Sequence, residues 1–148
     1  MAIRLIIFDC DGTIVDTSMV HAIASSKAFK TLGVTIDAQT LLDLTAGMGG
    51  IAAFEFLRSH PEHGFDASIQ HDEFKKLADA NFLEALHEMH ADGLCVEGFP
   101  EFFEFADTQH YLFQRDEHAR MFAVASNGAH INVSKSLGIV GYLERFHH

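Results

Sequence analysis

The chain has 148 residues, a length that suits one domain or a core with one inserted subdomain. Its formal net charge of −11 disfavours binding to nucleic acid or to acidic membranes. No apolar run approaches the roughly 20 residues of a membrane span, no secretory pattern precedes the first strand, and two cysteines do not make a disulfide framework. We therefore expect a cytoplasmic protein with no membrane or nucleic-acid partner.

The first predicted element is a buried strand over residues 3–9, and two carboxylates, Asp9 and Asp11, stand at its end. Extended backbone sends residues i and i+2 to the same side, so both carboxylates can face one site. In open α/β folds, ligands bind at this carboxyl edge of the sheet. Gly12 then permits a sharp turn. The arrangement suits magnesium-assisted attack by a carboxylate on a phosphate ester.

The segment 17–93 has helical periodicity and predicts an all-helical block. The predicted helices cover residues 17–32, 37–44, 51–58 and 72–91. Thr17 or Ser18 would cap the first helix, and Asp37 the second. Between the second and third helices lies a glycine-rich loop, 45–50, which contains no cation.

A second α/β piece follows the helical block. A helix carrying Phe102 and Phe103 leads, after an ambiguous segment, to a second buried strand over residues 121–125. This strand ends in Ser126 and Asn127 at a predicted helix start, where free backbone N–H groups and the helix dipole favour phosphate. Taken alone, Ser126 would be interpreted first as a helix N-cap. Its place after a buried strand favours a phosphate-binding role.

These residues carry a resemblance to a known family. The run Asp9-Cys10-Asp11-Gly12-Thr13 matches in full the D-x-D-G-T motif of the haloacid dehalogenase-like hydrolases, and residues 124–128 resemble their second motif. The chain resembles in particular the branch of phosphoglycolate phosphatases and beta-phosphoglucomutases. The resemblance implies an α/β fold: a partial Rossmann-like core of parallel strands over 1–16 and 95–148, with an inserted all-helical cap over 17–94.

The same resemblance implies a role for each site residue. Asp9 would be the nucleophile that forms an aspartyl-phosphate, and Asp11 would act as general acid and then base. Mg²⁺ would be held by Asp9 and by the backbone carbonyl of Asp11. The phosphoryl oxygens would be bound by four residues of the two motifs: Gly12, Thr13, Ser126 and Asn127.

The resemblance also limits the classes of substrate that we expect. Dehalogenating members lack a carboxylate at the position of Asp11, and the phosphonate-cleaving branch uses a lysine that loop 45–50 lacks. The absence of a cation in this loop also disfavours a doubly phosphorylated sugar, which leaves a small phosphomonoester metabolite. Gly47 and Met48 of the loop, with His21 on the first cap helix, are further candidates for contact with substrate. A packed or solvated histidine is at least as good an interpretation of His21.

Two later motifs of the family, a lysine before a proline and an acidic pair, have no counterpart after Ser126. Lys135 could replace the lysine, although helix-surface lysines are commonly just solvated. A second hypothesis follows: the chain is a catalytically incomplete fragment that needs a missing C-terminal segment or a partner chain. An incomplete core would also favour association, as a homo-oligomer or with a complementing chain.

Structural interpretations stand beside the functional ones. Asp9 and Asp11 could form a solvated turn, because Asp-Gly is a common turn dipeptide. Cys10 could act as a nucleophile, but neighbouring carboxylates raise a thiol's pKa and alternation turns it away from them. We therefore expect Cys10 to be a packed core residue, and the Phe-rich stretch 99–105 to be core as well.

Overall fold

The computed structural model describes residues 5–60, 65–66, 68–89, 93–112 and 121–146, with the backbone alone for 109–112 and 121. Within these ranges the elements follow in the order β1 Leu5–Phe8, α1 Ser18–Thr31, α2 Ala38–Thr45, α3 Gly50–Arg58, α4 His71–Glu88, α5 Phe99–Leu112, β2 Met121–Val124, α6 His130–Ile139 and a 3₁₀ turn Leu143–Arg145. The chain divides into two compact units. The core unit comprises Met1–Thr17 and His90–His148, and the helical unit comprises Ser18–Met89.

The core unit is built on a parallel pair of strands. β1 and β2 pair in register from Leu5 with Met121 to Phe8 with Val124. Beyond this register the Ala125 N–H donates to the Phe8 carbonyl at 2.8 Å. Because the strands are parallel, the residues that follow Phe8 and those that follow Val124 emerge at the same edge of the sheet. The predicted α/β class with parallel strands is confirmed.

An aromatic cluster fills the core of this unit. The buried ring of Phe8 lies 5.5 to 6.2 Å, between centroids, from the rings of Phe99, Phe102, Phe103, Phe122 and Phe146. The sequence predicted the whole stretch 99–105 as core, which is right for Phe99 and Phe103. Phe102 contacts Phe8 but is 50% exposed, so it lies at the rim of the cluster. The prediction is wrong for Phe105, which is 62% exposed.

The helical unit contains α1 to α4 and has its own core. Its buried side chains include Phe29, Phe54 and Leu57. α1 ends before Gly33, whose φ of +85° a residue with a side chain rarely adopts. α2 begins as predicted, since the Asp37 side chain accepts a hydrogen bond from the Thr40 N–H at 2.9 Å.

Two details of the helical unit differ from the sequence-based predictions. Ile51 shares the periodicity of Phe54 and Leu57, yet it is 66% exposed. It lies in the first turn of α3. The long helix α4 ends at Glu88, about one turn earlier than predicted.

No single helix in the described ranges is long and apolar enough to cross a membrane. Helices α2 and α3 pass that test only together, as a pair bent by 103°.

Candidate active site

The chain turns back sharply after β1. The Cys10 carbonyl accepts hydrogen bonds from the N–H groups of Ile14 at 2.9 Å and Val15 at 3.0 Å. Gly12 makes this turn possible with a φ of +76°. The Asp9 carboxylate accepts the Cys10 N–H at 2.7 Å through Oδ1. Asp9 and Asp11 are thereby left exposed at the strand end, with Cys10 buried between them.

Cys10 is a core residue, as predicted, and its surroundings suppress its reactivity. Its side chain is fully buried. Burial, followed by the negative charges of Asp11 and Asp9, raises the pKa of the thiol to about 12. Because the thiolate is the nucleophilic form of cysteine, Cys10 stays in its unreactive form at neutral pH.

Asp11 receives a hydroxyl donor on each of its carboxylate oxygens. Thr17 Oγ1 donates to Oδ1 at 2.5 Å, and Ser126 Oγ donates to Oδ2 at 3.3 Å. Thr17 is 1% exposed, whereas Asp11 itself is open to solvent. The contact between Asp11 and Ser126 joins residues 115 positions apart, because β1 and β2 end side by side.

The surroundings of Ser126 correct the sequence-based interpretation of this segment. Helix α6 begins only at His130, with Ala129 as its N-cap. Ser126 is therefore neither an N-cap nor at the helix start. Instead its Oγ accepts the N–H of Gly128 at 3.0 Å, which closes a short turn between β2 and α6.

The other predicted site residues of the core unit lie in these two turns or in helix α6. Gly12 and Thr13 are exposed in the turn after β1, and Asn127 is exposed beside Ser126. Lys135 lies in the second turn of α6 and is partly exposed. Their phosphate-binding roles stay predictions.

The three substrate-contact candidates belong to the helical unit. The ring of His21, on α1, packs 4.9 Å from the ring of Phe82 between centroids. Gly47 has a φ of +75° and Met48 is 41% exposed, both in the loop between α2 and α3. The contact with Phe82 shows that His21 has a packing role within this unit.

Sequence reasoning missed two residues that touch this site. Thr17 was predicted only as a helix cap, although its hydroxyl contacts the Asp11 carboxylate. Gly128 was read only as part of the segment after β2, although its N–H holds the Ser126 hydroxyl. The one sequence signal for Thr17 is a hydroxyl residue soon after the Gly12 turn, and that signal alone is weak.

The donor chemistry of Asp9 and Asp11 fits a magnesium ion. Mg²⁺ prefers oxygen ligands, takes one or two carboxylates, and completes its shell with water and substrate oxygens. Both carboxylates are exposed, and each oxygen that accepts one hydrogen bond keeps a further lone pair. Among the described residues no group of three or more His, Cys, Asp or Glu side chains could hold a metal ion. Asp9 and Asp11 alone would not complete the ligand shell of such an ion.

Similar folds occur among solved structures. CbbY from Rhodobacter sphaeroides in complex with phosphate matches with a TM-score of 0.69 and 21% identity, over 98% of this chain and 61% of that one. A mutant of the same protein has also been solved with xylulose-(1,5)bisphosphate. A predicted phosphoglycolate phosphatase from Haemophilus somnus matches with a TM-score of 0.66 and 18% identity, over 97% and 60% of the two chains. A HAD family hydrolase from Deinococcus radiodurans, with bound phosphate and sodium, gives 0.57 and 17%, over 99% and 56%.

The chain has the haloacid dehalogenase-like fold. The predicted Rossmann-like core is present with two parallel strands, and the helical unit is inserted between them in sequence. The chain spans about three fifths of the length of the solved structures that it matches. No protein-family model matches its sequence, and no curated protein is detectably similar to it.

Proposed function

We propose that this chain carries the active site of a magnesium-dependent phosphatase that acts on small phosphomonoesters. The observation that carries the proposal is the 3.3 Å contact between Asp11 and Ser126 at the ends of two paired parallel strands. This contact brings the Asp11 carboxylate beside the Ser126 hydroxyl, two residues after a second exposed carboxylate, Asp9. The fold shared with phosphatases supports the same conclusion.

Asp9 and Asp11 divide the chemistry between them. A carboxylate oxygen of Asp9 attacks the phosphorus, and the bond from phosphorus to the ester oxygen breaks. Asp11 gives its proton to the departing alkoxide, which leaves as an alcohol. Asp11 then takes a proton from a water molecule that attacks the aspartyl-phosphate. Inorganic phosphate is released and Asp9 is regenerated as a carboxylate.

Ser126 and Asn127 stabilise the transferring phosphoryl group. The Ser126 hydroxyl and the Asn127 amide donate to its oxygens, together with backbone groups of Gly12 and Thr13. These donors belong to the two short turns that follow β1 and β2. Asp9 and the backbone carbonyl of Asp11 would hold Mg²⁺, and the bound ion would offset part of the phosphate charge.

The two units have different roles in this proposal. Residues 1–16 and 95–148 form the catalytic core, and residues 17–94 form a cap that selects the substrate. His21, Gly47 and Met48 are the proposed selecting residues of the cap. Small phosphorylated substrates are supported by CbbY, which has been solved with xylulose-(1,5)bisphosphate and with phosphate. Because loop 45–50 contains no cation, we favour a substrate with one phosphate over one with two. We also propose that the protein is cytoplasmic.

The proposal is tested by hydrolysis of p-nitrophenyl phosphate with and without Mg²⁺. We expect Mg²⁺-dependent turnover by the parent chain and a loss of about 100-fold or more in Asp9→Asn, because amide nitrogen is not a nucleophile. Asp43→Asn is the matched control, since Asp43 is an exposed carboxylate on α2. Thermal unfolding checks that all three proteins fold. Equal rates in the parent and Asp9→Asn would overturn the proposal.

The second hypothesis, a catalytically incomplete fragment, predicts a different outcome. A folded parent chain with no Mg²⁺-dependent turnover would support it. Association with a second copy or with a complementing chain remains part of that hypothesis, and sedimentation velocity measures it directly.

A further inference from the structure

Gly128 contacts the candidate site through its backbone. Its N–H donates to Ser126 Oγ at 3.0 Å, and the Ser126 hydroxyl donates in turn to Asp11 Oδ2 at 3.3 Å. A hydroxyl has one proton, so accepting from Gly128 leaves that proton free to point toward the site. The Gly128 amide thus sets the direction in which Ser126 donates.

The space next to the Gly128 Cα atom is also limited. A Cβ atom built there would lie 3.1 Å from Val133 Cγ2, 3.3 Å from Ser126 Oγ and 3.4 Å from Asp11 Oδ2. The first two distances are shorter than ordinary van der Waals contacts, so a neighbouring group would have to move by a few tenths of an ångström. Two of the three neighbours are site residues.

The backbone conformation at position 128 does not require a glycine. Positive φ values occur at Gly12, Gly33, Gly47, Gly98 and Gly141, and Gly128 is not among them. A residue with a side chain could therefore adopt the backbone conformation of Gly128. What a side chain would disturb is the close approach of Val133 and Ser126, with Asp11 at the edge of ordinary contact.

We infer that Gly128 is a positioning residue of the active site. It orients the Ser126 hydroxyl through its amide, and its missing side chain keeps open the space beside Ser126 Oγ and Asp11 Oδ2. When a phosphoryl group binds, the oriented hydroxyl transfers its hydrogen bond from Asp11 to a phosphoryl oxygen. This inference rests on the proposed function.

The test compares Gly128→Ala with Gly138→Ala. A Cβ at Gly138, in the same unit, meets only Leu143 Cδ2 at 3.9 Å, an ordinary contact. We expect Gly128→Ala to weaken inhibition by inorganic phosphate, and to lower kcat/KM for p-nitrophenyl phosphate, by about tenfold each, because the donor is displaced. Gly138→Ala should match the parent in both measurements. Parent-like values in a folded Gly128→Ala would overturn the inference.

An NMR measurement on the parent fold covers the case in which Gly128→Ala does not fold. In ¹H–¹⁵N spectra, Ser126→Ala should move the Gly128 amide proton upfield, because its acceptor is lost, while Gly138 stays in place. Inorganic phosphate added with Mg²⁺ should shift the Gly128 amide of the parent. Absence of both changes would overturn the inference.

These readouts separate the inference from the proposed function. An inactive parent whose Gly128 amide responds to phosphate and to Ser126→Ala contradicts the phosphatase proposal and supports the role of Gly128. If the parent is active and Gly128→Ala has the same kinetics, the phosphatase proposal is supported and the role of Gly128 is contradicted.

Discussion

The hydroxyl of Thr17 donates to Oδ1 of Asp11 at 2.5 Å, although Thr17 directly precedes helix α1 and is 1% exposed. The turn after β1 makes this contact, because hydrogen bonds from Ile14 and Val15 to the Cys10 carbonyl fold the chain back. Asp16 extends the arrangement by donating its N–H to the Leu94 carbonyl at 2.8 Å. The carboxylate proposed as acid and base is therefore held by a buried hydroxyl.

Thr17→Val should lower kcat for p-nitrophenyl phosphate about tenfold, because a hydrogen bond to a charged group is worth ~1.5–3 kcal/mol. We expect KM to change little, since Asp11 acts in bond cleavage rather than in binding. Thr17→Ser keeps the hydroxyl and should retain most of the activity. Steady-state kinetics with thermal unfolding checks this. If Thr17→Ser loses as much kcat as Thr17→Val, the hydroxyl is not what matters.

Phe103→Ala should destabilise the core unit by about 3–5 kcal/mol, because a large buried ring is replaced by a cavity. Phe103 is 2% exposed and packs against Phe8, Phe122 and Phe146. The matched control is Phe105→Ala on the same helix, because Phe105 is 62% exposed and should cost less than about 1 kcal/mol. Urea unfolding measures both. Similar free energies of unfolding for the two variants would contradict the packing described for α5.

Cys10 should resist alkylation by iodoacetamide in the native protein at pH 8. Its pKa of about 12 leaves almost no thiolate at that pH, and its side chain is fully buried. Burial also raises the pKa of Cys95, so we expect that thiol to react slowly too. Peptide mass spectrometry after labelling in native buffer and in denaturant distinguishes the two sites. Rapid labelling of Cys10 in the native protein would contradict this prediction and would support Cys10 as a nucleophile.

Asp37→Ala should lower the Tm through loss of the cap on α2, and the loss should depend on pH. Hydrogen bonds from Thr40 lower the pKa of Asp37 below its ordinary 3.8. The unfolded state therefore binds the proton more readily, so the stabilisation is fully present above pH 3.8 and is lost as the pH falls through the folded pKa.

Asp37→Asn is the control for this cap, because asparagine caps helices well and does not titrate. Its Tm should stay near that of the parent at neutral pH. A Tm difference between parent and Asp37→Ala that is constant from pH 6 down to about pH 2 would contradict the charged cap.

The sequence by itself determined the class of fold and the chemistry of its strand ends. Apolar runs followed by Asp9 and Ser126 predicted two parallel strands that end in polar groups, and the structure pairs them. The end of α1 before Gly33 and the cap of α2 at Asp37 were also readable. These features depend on local backbone preferences and periodicity, which neighbouring residues largely set.

Only the tertiary structure decided which groups meet. Thr17 looked like a helix cap and Ser126 like a helix start, yet both hydroxyls donate to the Asp11 carboxylate. Phe102 is half exposed although it lies in a Phe-rich stretch, and Gly128 has tight neighbours at its Cβ position rather than a positive φ. Periodicity identifies the face on which a side chain lies. The partner that covers this face, or accepts its hydrogen bond, comes from chain segments up to 115 residues away and depends on how the whole core unit packs.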